Sequence, residues 1–131
     1  MEWEYLNFKK EEFACRHCGK DGISSLLLDK LQSMRTDLGF PFVISSGYRC
    51  EDHEIEKQKR LNGKPMGAHN EGLAVDILCN SAEAYTILSN ASNYGFTGIG
   101  VNQKGNYNLR YIHLDILENK TNKPRPHIWS Y

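Results

Sequence analysis

No stretch of this chain stays apolar for anything near the roughly 20 residues needed to cross a bilayer. The opening "MEWEYLNFKK" has neither the basic start nor the apolar run of a secretory signal. The expectation is a protein that is cytoplasmic as synthesised, has no membrane partner, and meets any target outside the cell only after release. Charge of one sign is also missing. Sixteen Lys and Arg offset sixteen Asp and Glu, so no basic field is present to draw in a polyanion, and nucleic acid is disfavoured as a partner. Internal repeats and low-complexity segments are absent too. The 131 residues, 40% of them hydrophobic, suit one domain over 1–131 with a single core, expected to be a monomer.

Short elements alternate along the chain. "SSLLLDKLQSMRTDLG" puts Leu27, Leu28, Leu31, Met34 and Leu38 on one helical face, with serines before it and Gly39 after it. "PFVISS" reads as a strand running into the polar "GYRCEDHE". "EDHEIEKQKRLN" is nearly all charged and predicts an exposed helix, broken at "KPMG". "GLAVDIL" reads as a buried strand. Asn80 followed by Glu83 predicts a capping-box start for a helix that Gly95 ends. "TGIGV" and "LRYIHLDIL" predict two strands joined through "NQKGNYN", and "ENKTNKPRPHIWSY" predicts an irregular segment ending in docked aromatics. The sum is an α+β fold, a small and largely antiparallel sheet with packed helices.

Chemistry concentrates on three residues. His69 precedes the strand that carries Asp76, and Gly67 and Gly72 give the intervening loop freedom to fold back. A histidine in an apolar strand needs a polar partner if buried, and alternation puts Tyr111, His113 and Asp115 on one face with Ile112, Leu114 and Ile116 on the other. Two histidines and an aspartate are a donor set for catalytic zinc, which uses three protein ligands and leaves a fourth position for water. Each also has an ordinary alternative. A strand histidine can be a hydrogen-bonded core residue, and Asp76 a strand-end acid capping a turn.

The succession "SGYRC", "HNEGLAVD", "IHLD" and "RPHIWSY" resembles the zinc D-alanyl-D-alanine carboxypeptidase family of peptidoglycan peptidases. The superfamily also holds lysostaphin-type enzymes and bacteriophage endolysins. The resemblance runs from "FACRHCG" to the final tyrosine. It implies a hedgehog/D,D-peptidase-like zinc fold, one catalytic Zn2+ held by His69, Asp76 and His113, and hydrolysis of a peptide bond in peptidoglycan stem or cross-link peptides. Ser46 and Arg49 match the substrate segment, Arg49 pairing with a substrate carboxylate as a guanidinium fork can. Trp129 and Tyr131 would wall the cleft or pack on the sheet.

Two departures from the pattern bear on mechanism. Many relatives place a glutamate three residues before the last histidine ligand, where this chain has Arg110, so Asp115 is the nearest acid/base or else orients a histidine, and Glu71 is a further candidate acid. Relatives also commonly carry serine where Gly67 stands, which puts the rigidity of the histidine loop in doubt. A single small domain without an export signal is what is expected of a phage endolysin released by a membrane-puncturing partner, or of a peptidase domain delivered by other means. The hedgehog signalling domain, with a similar H-x-E-G-x-A-V-D run, offers the alternative of a catalytically silent zinc-bearing binding domain.

Four cysteines stand apart from this pattern. Cys15 and Cys18 form a CxxC, and Cys50 and Cys79 lie by the substrate segment and the aspartate strand. Three readings stand: a second, structural zinc on Cys15, Cys18, Cys50 and either Cys79 or a nearby histidine; free or buried thiols; a disulfide. A CxxC module contacting nucleic acid is a further class, which the neutral charge disfavours. His17, His53 and His127 read as solvent-exposed.

Overall fold

A computed structural model describes residues 3–65 and 67–131. The first two residues of "MEWEYLNFKK" and Met66 of the "KPMG" break lie outside the described residues. Helix α1 (Ser25–Leu38) starts where the Ser24 side chain accepts a hydrogen bond from the Leu26 N–H and stops at Gly39, whose φ of 77° suits only a residue without Cβ. Its stripe of Leu27, Leu28, Leu31 and Met34 is buried, and Leu38 packs at the edge of the same cluster. Each of the fully buried leucines contributes about 1.5–3 kcal/mol by leaving water, so α1 anchors the core against the sheet.

That sheet has five strands in the order β1 (Val43–Ser46), β2 (Ala74–Leu78), β4 (Tyr111–Asp115), β3 (Gly98–Asn102), β5 (His127–Ser130). All pairings are antiparallel except β3 with β5. Alternation sends Val75, Ile77, Ile112 and Leu114 into the core with α1 and with Ala84 and Ile87 of helix α3 (Ser81–Asn90). The opposite face carries Asp76, His113 and Asp115. No helix among the described residues is long and apolar enough to cross a membrane.

Register decides what meets on that second face. Asp76 pairs with His113, His113 with Gly100, and Gly100 with Trp129. A bulge at Ser45 shifts β1 so that Ser46 stands opposite Asp76. One row across all five strands therefore reads Ser46, Asp76, His113, Gly100, Trp129. The adjacent row aligns Ala74, Asp115, Gly98 and His127. The two glycines have a steric role. A Cβ on Gly100 would lie 2.8 Å from the Trp129 indole, and one on Gly98 would overlap the Asp115 carboxylate.

Three expectations need correction. The last segment is not irregular throughout, because residues 127–130 add a parallel edge strand. Asn80 holds the N-cap position of α3 but makes no side-chain cap; its amide donates instead to the Tyr107 carbonyl at 3.1 Å, tying the helix start to the β3–β4 connection. Helix α2 (Glu54–Leu61) is shorter than the charged run and is not wholly exposed, since Glu56 is completely buried.

Candidate active site

His69 sits in a tight turn closed by Asn70 N–H to Gly67 O, Glu71 N–H to Ala68 O and Gly72 N–H to His69 O. Gly72, at φ 73°, turns the chain into β2, and its amide plane packs so closely on Gly22 that no side chain fits. Beyond the Ser46–Asp76 pair the loop after β1 zips onto the turn: Arg49 N–H donates to His69 O at 3.1 Å, and the Asn70 side chain donates to Arg49 O at 3.0 Å. This fixes the imidazole. His69 Nδ1 lies 2.7 Å from the Gly47 carbonyl, which can only accept, so the proton is on Nδ1 and Nε2 presents its lone pair.

His113 is set the opposite way round. Its Nε2 lies 2.8 Å from Asp115 Oδ2, leaving Nδ1 to face the cleft. The lone-pair atoms then converge. His69 Nε2 to Asp76 Oδ1 is 3.1 Å, His113 Nδ1 to the same oxygen is 3.1 Å, and the two nitrogens are 3.2 Å apart. Three buried acceptors with no proton among them repel unless a cation or a proton sits between them. Tetrahedral zinc with ligand bonds of about 2.0–2.1 Å spaces its ligands about 3.3 Å apart. The donor set and its spacing thus fit a divalent metal on three protein ligands.

Asp115 is fully buried and spoken for. Besides His113, its Oδ2 takes Arg125 Nη2 at 2.8 Å, while Oδ1 takes Arg125 Nε at 2.9 Å and the Leu117 N–H at 3.2 Å. Burial alone would raise its pKa, but the hydrogen bonds from His113 and Arg125 outweigh it and hold the carboxyl well below the usual range. Asp76 is held low in the same way, with His113 and His69 overcoming burial. A carboxylate with a two-pronged arginine, a histidine and an amide on it has no oxygen left for a substrate proton.

The floor opens into a cleft of about 490 Å³ walled by Arg49, Lys59, Tyr111, Lys123, Arg125, Trp129 and Tyr131. Trp129 lies across His113, ring centroids 5.2 Å apart, and stacks on His127 at 5.6 Å. His127 thus lines the cleft although it is exposed. Arg49 is oriented by Ser46, whose Oγ accepts from Nε at 3.1 Å, and bridges to Asp76 Oδ2 at 3.2 Å. Glu71 does not reach the floor; it pairs with Lys120 at 3.3 Å in a separate surface hollow. Arg110 stacks on Tyr107 and donates to Gly105 O, so no acid stands in the position it occupies.

Two functional neighbours escape sequence reasoning. Arg125 opens the "RPHIWSY" motif, but nothing in the chain marks it as the partner of Asp115. Glu56 lies in a helix charged on every side, where composition carries no signal for the one buried position. Glu56 Oε1 accepts the Gly67 N–H at 2.7 Å, and Oε2 lies 3.3 Å from Lys59 and 3.7 Å from Arg49. The carboxylate therefore stiffens the loop at the position where a serine was expected to do so. Glu56→Ala is expected to lower unfolding stability by about 1–3 kcal/mol, because it leaves the buried Gly67 amide without its acceptor while Arg49 keeps Asp76. Chemical denaturation measures the loss, and a change below about 1 kcal/mol would mean water replaces the carboxylate.

An α+β sheet with a three-donor metal floor in an open, cation-walled cleft defines a metallohydrolase-like site. The peptidase M15 family model matches residues 6–115, and the chain belongs to that family, whose members are zinc metallopeptidases. No curated protein matches the chain. The match stops at Asp115, so the floor lies inside it while Arg125 and β5 lie beyond it.

Proposed function

We propose that the protein hydrolyses a peptide bond in peptidoglycan stem or cross-link peptides, as a carboxypeptidase or endopeptidase of the D-Ala-D-Ala type, with His69, Asp76 and His113 holding one zinc ion. The observation that carries this is the convergence of three buried lone-pair atoms at 3.1–3.2 Å on the floor of an accessible cleft. Bound zinc would supply a water of lowered pKa and polarise the scissile carbonyl. The chain's own residues do the rest. Gly47 O and Asp115 fix the two imidazole tautomers, Ser46 orients Arg49, and Trp129 walls the cleft. The cleft wall holds Arg49, Lys59, Lys123 and Arg125 against Asp76 and Asp115 on the floor, which favours a substrate that ends in a carboxylate. In this reading Asp115 orients His113 rather than moving the substrate proton. The setting would be a phage endolysin that meets the wall after release.

One observation favours a silent, zinc-bearing binding domain as the second reading: both carboxylates that line the cleft are fully engaged. Mass spectrometry of fragments from defined stem peptides, with and without chelator, separates the two. Chelator-sensitive fragments support the peptidase. Intact peptides in the presence of zinc-loaded protein leave the binding domain.

The zinc-free chain should betray the site through its pH profile. Burial lowers the His69 pKa more than Asp76 raises it. Burial also pulls His113 down, but hydrogen bonds to Asp115 and Asp76 carry it above its ordinary value. The raised His113 stabilises fully below the unfolded value of about 6.5 and loses that contribution as pH rises through its folded value. The depressed His69 loses stability as pH falls from about 6.5 toward its folded value. Zinc-free protein is thus most stable near the ordinary histidine pKa, and saturating zinc abolishes the alkaline decline because metal replaces the proton. Thermal melts across pH, with and without zinc, give the comparison. Superimposable profiles would rule out a shared proton and metal position.

A further inference from the structure

We propose that Cys15, Cys18, Cys50 and His17 form a second zinc site that clamps the N-terminal segment to the loop carrying Gly47 and Arg49. The three sulfurs lie within 4.8 Å of one another, close to the spacing of about 3.8 Å that tetrahedral Zn–S bonds of about 2.3 Å require. His17 Nδ1 lies 3.5 Å from Cys50 Sγ, at the edge of the sulfur cluster, where a small ring movement would make it the fourth donor.

The backbone is shaped as a metal-binding knuckle. Gly19 N–H donates to Cys15 O at 2.8 Å and Cys15 N–H to Lys20 O at 2.9 Å, with Gly19 at φ 73°. The Cys50 N–H points at Cys15 Sγ at 3.3 Å. An amide donor on that sulfur offsets part of the negative charge that three thiolates bring to a dication. All four cysteines are free thiols. Cys79 is not part of the cluster: it lies in the main core with its thiol donating to Ile77 O at 3.3 Å. The fourth ligand is therefore the histidine.

The position of the cluster gives it a task. Cys50 follows Arg49 directly, and Phe13 stands two residues before Cys15. Tyr48 N–H donates to Phe13 O at 2.9 Å, and Gly47 packs so closely on the Phe13 backbone that a Cβ would fall 2.6 Å from its carbonyl oxygen. The same loop presents Gly47 O to His69 and Arg49 to Asp76. A metal between residues 15–18 and Cys50 locks this loop from outside, so the outer ion steadies the Gly47 carbonyl that sets the tautomer and placement of the inner site's first histidine. This coupling rests on the zinc reading of the cleft; the cysteine site itself does not.

Metal analysis of the whole protein, before and after a thiol-specific mercurial, tests it. Two zinc ions per chain are expected, one of them released by the mercurial. His113→Ala should retain the releasable ion alone, and Cys18→Ser the non-releasable ion alone. His17→Ala, at an exposed position, should fold and lose the releasable ion on dialysis against a chelator that the parent protein withstands. Amide exchange of residues 47–50 should quicken in the Cys18→Ser and His17→Ala variants. A single ion indifferent to the mercurial, or an intact mass showing a disulfide between these cysteines, would overturn the proposal. A single ion that is releasable and unaffected by His113→Ala would instead overturn the cleft reading and leave this one standing.

Discussion

His113→Ala should leave a folded protein that no longer holds zinc in the cleft, with peptide hydrolysis lowered at least about 10³-fold, which corresponds to about 4 kcal/mol in the barrier. The folding prediction follows from its surroundings. Asp115 keeps its two-pronged bond to Arg125, and Asp76 keeps His69 and Arg49. The metal prediction follows from geometry, because two donors cannot close a site built on three. Zinc content after dialysis and turnover of a defined stem peptide are the measurements. A variant that keeps both its cleft zinc and its rate would remove His113 from the site.

Asp115→Asn discriminates between the two roles that a carboxylate beside His113 could have. The amide must present its NH2 either to His113 or to the oxygen position shared by Arg125 Nε and the Leu117 N–H. Either way one donor faces another. If it faces His113, the imidazole is driven to carry its proton on Nδ1, the atom that belongs to the metal. Zinc affinity is expected to fall about 10–100-fold, and the rate at saturating zinc should recover much of its parental value. An unchanged affinity with a collapsed rate would make Asp115 the proton carrier instead. The measurements are a zinc titration with a competing chelator and turnover at saturating metal.

The parts of the site that could be read from the chain are those where local pattern and chemistry coincide. Alternation in "RYIHLDI" separates the apolar Ile112 and Leu114 from the polar His113 and Asp115, and β4 has that arrangement. The α1 stripe is equally local, and its caps stand where Ser24 and Gly39 place them. What was hidden depends on partners distant in sequence. Glu56 is paired with Lys59 in its own helix, but what draws it into the interior is Gly67 and Arg49, both outside that helix. β5 is four residues long beside two prolines, and only the free edge of β3 makes it a strand. Gly98 and Gly100 did carry a signal, since glycine inside a strand pattern marks a close approach. Their partners, Asp115 and Trp129, could be named only once register was known. The Asn80–Glu83 pattern misled because the Asn80 NH2 donates to a distant carbonyl, that of Tyr107, and its side-chain oxygen takes no amide of the helix.

The parallel edge strand gives the cleft two walls of unequal durability. Its floor belongs to β2 and β4, each flanked by strands on both sides and sealed on the core face by α1 and α3. Trp129 and His127 ride on a four-residue border strand bonded on one side only and largely exposed. Local opening should therefore begin at β5 and peel the indole from His113 without disturbing the ligand triangle. Substrate admission would then be governed by fraying at the sheet border, and amino-acid changes there could retune which peptide enters while the metal floor stays as it is.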